Sequence, residues 1–121
     1  MLIHYVRQEK KNANEESVKY PIAVFIARPR GNYIDIGFAV CNPKDTFHKK
    51  LGKQIAIGRA EKHWGDTTFR IPERVAREFY EFLAYCLDHP KYKDKIFPVW
   101  MQGATGSFPN VVEDQPKRTE K

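Results

Sequence analysis

The runs YPIAVFIAR and YIDIGFAV, joined by PRGN at residues 29–32, constrain this chain more than any other stretch. Both are dense in β-branched and aromatic residues and too short for a well-formed helix, so each reads as a strand. A proline at the first corner and a glycine that accepts positive φ make Pro29-Arg30-Gly31-Asn32 the expected turn of a β-hairpin. In the second strand Ile34, Ile36, Phe38 and Val40 share one side, and Tyr33, Asp35, Gly37 and Ala39 the other. The apolar side calls for a covering helix.

The neighbouring segments extend this plan. LIHYVR at the start reads as a further strand, whereas QEKKNANEESVK shows no apolar face and is expected to be a loop. Asn42-Pro43 ends the hairpin; Asp45 or Thr46 is placed to cap a helix over residues 46–62, with Gly65 as its stop. TTFRI reads as a short strand. Pro72 then opens the clearest helix, PERVAREFYEFLAYCLDH, where Val75, Phe79, Phe82, Leu83, Cys86 and Leu87 recur at spacings of three and four. Pro90 ends it, KYKDK forms a basic loop, and IFPVWMQ is a last strand that Pro98 confines to an edge or bulge. The expected fold is α+β: an antiparallel sheet of about four to five strands covered by two helices. With 121 residues in all, the chain reads as a single domain over residues 1–102 with a tail over 103–121.

Charge narrows the partners. Twenty-one Lys and Arg against fifteen Asp and Glu leave a net charge of +6, which favours an anionic partner without saying which. No apolar run approaches the roughly 20 residues of a membrane span, and the N-terminus reaches charge too early for a secretory signal. The cytoplasm is the expected location. Cys41 and Cys86 lie far apart, outside any zinc or redox spacing, and are expected to be reduced thiols. GxSxG, P-loop, GxGxxG and HExxH motifs are absent and the four histidines are scattered, so binding is expected rather than catalysis, with no catalytic residue, metal or cofactor.

The stretch CNPKDTFHKKLGKQIAIGRA, residues 41–60, holds the candidate chemistry. On a helix, Phe47, Leu51, Ile55 and Gly58 fall in one arc that would pack on the sheet. Beside it lie His48, Gly52, Ala56 and Arg59, and Lys49, Lys50 and Lys53 continue around the outer side. Gly52 and Gly58 each weaken a helix by about 1 kcal/mol relative to alanine. Either they permit close packing on the sheet, or they leave room beside Arg59, whose planar fork suits two phosphate oxygens. The lysines are either a solvated face or phosphate ligands. Arg28 and Arg30 in the hairpin turn either meet an anion or keep the loop soluble. Phe79, Tyr80, Phe82 and Tyr85 cannot all face the core, so those at its margin are candidates to stack on a base.

GFAVCNPKDTFHKKLGKQIAIGRA resembles a bacteriophage segment of the form N-P-K-D-x-F-x-K-K-x-G-x-x-I-A-x-G-R-A that follows a strand. With its hairpin and its aromatic helix, the chain is similar to the first Thoeris anti-defence family. Members of that family are sponges that bind the cyclic ADP-ribose signal of bacterial TIR enzymes without cleaving it, and some also bind cyclic oligonucleotides. The resemblance implies a phage protein in the cytoplasm of the infected host, assembled as a homo-oligomer. It makes Arg59 a phosphate or ribose contact, with Lys49 and Lys50 nearby, Phe79 or Phe82 the adenine-stacking ring, and Arg28 part of a second anion site. The alternatives are a basic protein binding single-stranded nucleic acid through its lysine face and aromatics, and an inhibitor docking on an acidic host protein.

Overall fold

The computed structural model describes residues 1–42, 46–62, 64, 70–102 and 110–112. The first strand, β1 (Leu2–Lys11), pairs antiparallel with β2 (Ser17–Arg30), which pairs antiparallel with β3 (Tyr33–Val40), so the sheet order is β1-β2-β3. The helix α1 (Lys49–Lys62) follows, then β4 (Arg70–Pro72) and the helix α2 (Glu73–Asp88). A 3-10 turn at Val99–Gln102 and β5 (Asn110–Val112), parallel to β4, complete the described elements. The fold is α+β with two helices, and its main sheet has three strands, with β4 and β5 forming a separate pair.

The sheet is covered on both faces. Ala23, Phe25 and Ala27 of β2 and Ile34 and Ile36 of β3 pack with Val75, Phe79 and Leu83 of α2 and with Trp100. On the opposite face Val24, Ile26 and Ala39 pack with Ala56 and Ala60 of α1. A strand buried on both sides has no reason to alternate, which is why AVFIA reads as a continuous apolar run.

Several expectations are corrected. The tract QEKKNANEESVK is the distal half of a long hairpin, with Gln8 opposite Tyr20 and Lys11 opposite Ser17. Its polar side chains face water while the backbone groups satisfy each other across the ladder, a pattern that composition alone cannot distinguish from a loop. The turn before β3 is only Gly31-Asn32: Pro29 lies in the ladder opposite Ile34, and Gly31 has φ +64. Helix α1 starts at Lys49, later than Thr46; Asp45 and Gly65 lie outside the described residues, as do Thr67, Thr68 and Phe69 of TTFRI. IFPVWMQ forms no strand beyond an Ile96 bridge to Tyr33 and instead closes into the 3-10 turn. Leu87, counted with the core face of α2, is exposed.

The largest correction concerns the buried side of α1. Gly52, Ala56 and Ala60 face inward, while Leu51 and Ile55 are 54% and 38% exposed. The cause lies in β3. A Cβ built on Gly37 would overlap the carbonyl oxygen of Ala56 and come within 2.7 Å of the amide nitrogen of Ala60, so helix and strand backbones approach too closely for larger side chains.

Candidate functional site

The residues following β3 border two adjoining grooves. Cys41, Asn42, Thr46 and Phe47 line both. One, of about 330 Å³, is completed by Gln8, Lys10 and Tyr20 of the long hairpin and by Arg74 from the first turn of α2. The other, of about 580 Å³, opens toward His48, Leu51 and Ile55. Cations, amides and aromatic rings therefore converge where three separate parts of the chain meet. Arg74 is fixed in place because its guanidinium donates to the carbonyl oxygen of Cys41. Phe47 is held between the ring of Tyr5, edge-on at 6.4 Å, and Gly52, where an added Cβ would lie 2.5 Å from the ring. Lys10 sits 6.0 Å from the ring centre of Tyr20 and Lys49 5.1 Å from that of Tyr5.

Such a groove suits a molecule with a planar ring and a phosphate. Arginine offers a forked donor for phosphate oxygens, lysine a mobile charge, and aromatic walls the face on which a base stacks. Asn42 and Thr46 add directional donors and acceptors.

The residues singled out from the sequence are distributed differently. Arg59 is exposed, and its Nη1 makes one long contact of 3.4 Å to the carbonyl oxygen of Phe38. Among the described residues no notch opens beside it, because Phe47 fills the space at Gly52 and Ala56 is pressed onto β3. Lys49 and Lys50 are exposed at the other end of α1, about 15 Å from Arg59 along the helix axis. The three do not converge. Gly58 has open space around it and neither packs nor makes room.

Phe79 is corrected from stacking candidate to core: it is 0% exposed and meets Phe25 edge-on at 4.9 Å. Phe82 is buried too, tilted against Phe25 at 5.7 Å, and only borders a third groove between β1 and α2. Arg28 is taken up by carboxylates, at 2.9 Å from Glu61 and 3.3 Å from Asp35. Arg30 also binds Asp35, at 2.8 Å and 3.0 Å. The fully buried Asp35 is thus satisfied by two arginines, and Glu61 ties the end of α1 to the sheet. The Glu61 bond is the chief cause holding the Arg28 guanidinium above its ordinary range, and the Asp35 bond does the same for Arg30. This network is structural.

Arg74, Lys10, Tyr20 and Phe47 went unrecognised in the sequence as a group. No local spacing links them; only the β1–β2 register and the docking of α2 bring them together. Among the described residues no cluster of three His, Cys, Asp or Glu is placed to hold a metal ion, and no helix is long and apolar enough to cross a membrane. No family model, curated protein or solved structure matches the chain.

Proposed function

We propose that this protein binds a phosphate-bearing, nucleotide-type small molecule and holds it without cleaving it. The observation that carries the reading is the paired groove lined by Cys41, Asn42, Thr46 and Phe47, where Arg74 and Lys10 flank the rings of Tyr20 and Phe47. The resemblance of GFAVCNPKDTFHKKLGKQIAIGRA to the first Thoeris anti-defence family supplies the ligand class, cyclic ADP-ribose, and the setting, a phage sponge in the cytoplasm of an infected bacterium. The matching segment includes the groove residues Cys41, Asn42, Thr46 and Phe47. In this reading Arg74 takes the phosphate role first given to Arg59, and Phe47 or Tyr20 the stacking role first given to Phe79 or Phe82.

Titration calorimetry with cyclic ADP-ribose isomers, extended to cyclic oligonucleotides, tests it. Binding is expected with intact ligand recovered after denaturation, and Arg74→Ala is expected to weaken it about 10- to 100-fold, the effect of losing one charged hydrogen bond. Arg59→Ala should leave affinity within about twofold, as expected for a surface side chain away from the groove. Absence of heat across the panel, or an Arg74→Ala variant that binds normally while folded, refutes the reading.

One observation favours a second reading. Lys49 and Lys50 at one end of α1 and Arg59 and Lys62 at the other are all exposed, and two cationic ends of one helix suit the extended backbone of single-stranded nucleic acid. That reading requires affinity to rise with oligonucleotide length and to fall steeply with salt, and a compact groove shows neither to the same degree.

A further inference from the structure

The two edges of the main sheet are unlike. At the start of β3 the edge is partly occupied: Ile34 donates to the carbonyl oxygen of Ile96 at 2.9 Å, and Ile96 donates to that of Asn32 at 2.8 Å. On the outer side of β1 no described strand pairs, which leaves a row of backbone donors and acceptors for an incoming chain. The second half of β1 carries Arg7, Lys10 and Lys11, charges of the kind that ordinarily protect an edge. The first half, Leu2, Ile3, His4 and Tyr5, carries no lysine or arginine.

That unprotected half runs beside a groove of about 440 Å³ whose opposite wall is Glu78, Glu81, Phe82 and Tyr85 of α2. The His4 ring is fixed between them, stacked 6.3 Å from that of Phe82 and hydrogen-bonded to Glu78. Glu81 is exposed and meets the equally exposed Arg77 at 3.7 Å, a surface pair that a better-placed cation can displace. In a chain of net charge +6, the lining of this groove among the described residues holds two carboxylates and no lysine or arginine. From Glu78 to Tyr85 the helix rises ~10 Å, the length of about three strand residues.

From this we infer that the groove binds an extended segment of another protein, added as a strand along residues 2–5, in which lysine or arginine alternates with apolar residues. An edge strand facing a helix supplies main-chain hydrogen bonds for affinity and a wall that reads every second side chain. Even positions in this half of β1 point toward α2, since His4 meets Glu78 and Val6 packs in the core that α2 covers. Odd positions point to the other face, where Tyr5 meets Phe47. A paired strand follows the same alternation. Its residue on the α2 side therefore lies along Phe82 and Tyr85 with its end group at Glu81, a path that fits the apolar stem and charged head of lysine or arginine. The next residue falls on the side of Ile3, which is 38% exposed, and an apolar side chain there removes that surface from water. An acidic segment would face Glu78 and Glu81 and be repelled.

Fluorescence anisotropy with a labelled, end-capped hexapeptide alternating lysine and valine tests the site, with no nucleotide present. Binding is expected, and hydrogen exchange followed by NMR should show the amides of residues 2–5 protected by the peptide. A hexapeptide of the same composition with its lysines contiguous should bind about 10-fold more weakly, because it has the charge without the alternation. Glu81→Lys, with circular dichroism as the control for folding, should weaken the alternating peptide about 10- to 100-fold, the effect of losing a charged hydrogen bond. No binding of the alternating peptide, equal binding of the two peptides, an unchanged affinity in folded Glu81→Lys, or protection confined to other residues overturns the inference. So does protection of these amides in the free chain that disappears on dilution, which would place a second copy on this edge.

Discussion

Replacing Gly37 with alanine drives a methyl group into the backbone of α1. The added Cβ would overlap the Ala56 carbonyl oxygen and lie 2.7 Å and 2.9 Å from the nitrogen and Cα of Ala60. None of these is the far end of a flexible side chain, so relief requires moving the helix. Overpacking of a close-fitted site costs about 1–3 kcal/mol, while the stiffer unfolded chain returns about 0.4–1 kcal/mol. The overpacking should reach or exceed the upper limit because the obstacle is backbone, giving a net loss near 2 kcal/mol. At about 3–6 °C per kcal/mol for a chain of this length, the midpoint should drop by roughly 10 °C. Urea denaturation followed by tryptophan fluorescence, with calorimetry alongside, measures it. Gly58→Ala is the matched control: nothing lies within 4 Å of its added Cβ, and a mid-helix alanine should stabilise by about 0.5–1 kcal/mol. Opposite signs from the same chemical change are the expectation. A Gly37→Ala variant within about 0.5 kcal/mol of the parent would refute the close approach of α1 to β3.

Phe79→Ala should lose about 3–5 kcal/mol by urea titration, as for other large aromatic deletions in a core, whereas Arg59→Ala should stay within about 0.5 kcal/mol. Asp35→Ala removes the carboxylate shared by Arg28 and Arg30; because both guanidiniums keep access to water, the expected loss is about 1–3 kcal/mol, smaller than for a fully buried pair. Burial pushes the Cys86 thiol up to about 12 from an ordinary 9.0, so above pH 9 the folded chain keeps a proton that the unfolded chain releases. The stability from this group is complete below that pH and declines by about 1.4 kcal/mol per pH unit as pH climbs toward the folded value; Cys86→Ala should flatten that part of a urea-midpoint profile. In the native state a thiol reagent near neutral pH should label Cys41, which is partly exposed, before the buried Cys86.

The hairpin and α2 were legible because their signals are local and their buried residues are large. Phe79, Phe82 and Leu83 at spacings of three and four announce a core face, and the β-rich runs on either side of a glycine announce a reversal. Helix α1 misled for the opposite reason. Its buried side is glycine and alanine, which carry almost no hydrophobic signal, and its larger apolar residues, Leu51 and Ile55, face outward. Reading hydrophobicity around that helix therefore selects the wrong face and places Arg59 beside a notch that Phe47 fills. The groove shows the same limit. Asn42, Thr46 and Phe47 sit within the segment that drew attention, but Lys10 and Arg74 are distant in sequence and become neighbours only through strand register and helix docking.

Residue order alone determined the class of fold, the central reversal at Gly31, the strongly amphipathic α2 and the excess of positive charge, since each depends on side-chain type and on spacing within one segment. Tertiary structure decided which face of α1 is buried, which arginines are spent on Asp35 and Glu61, and which cations border the groove. Those outcomes follow from how closely two backbones approach and from which distant strands lie in register, and neither quantity is written in any single stretch of the chain.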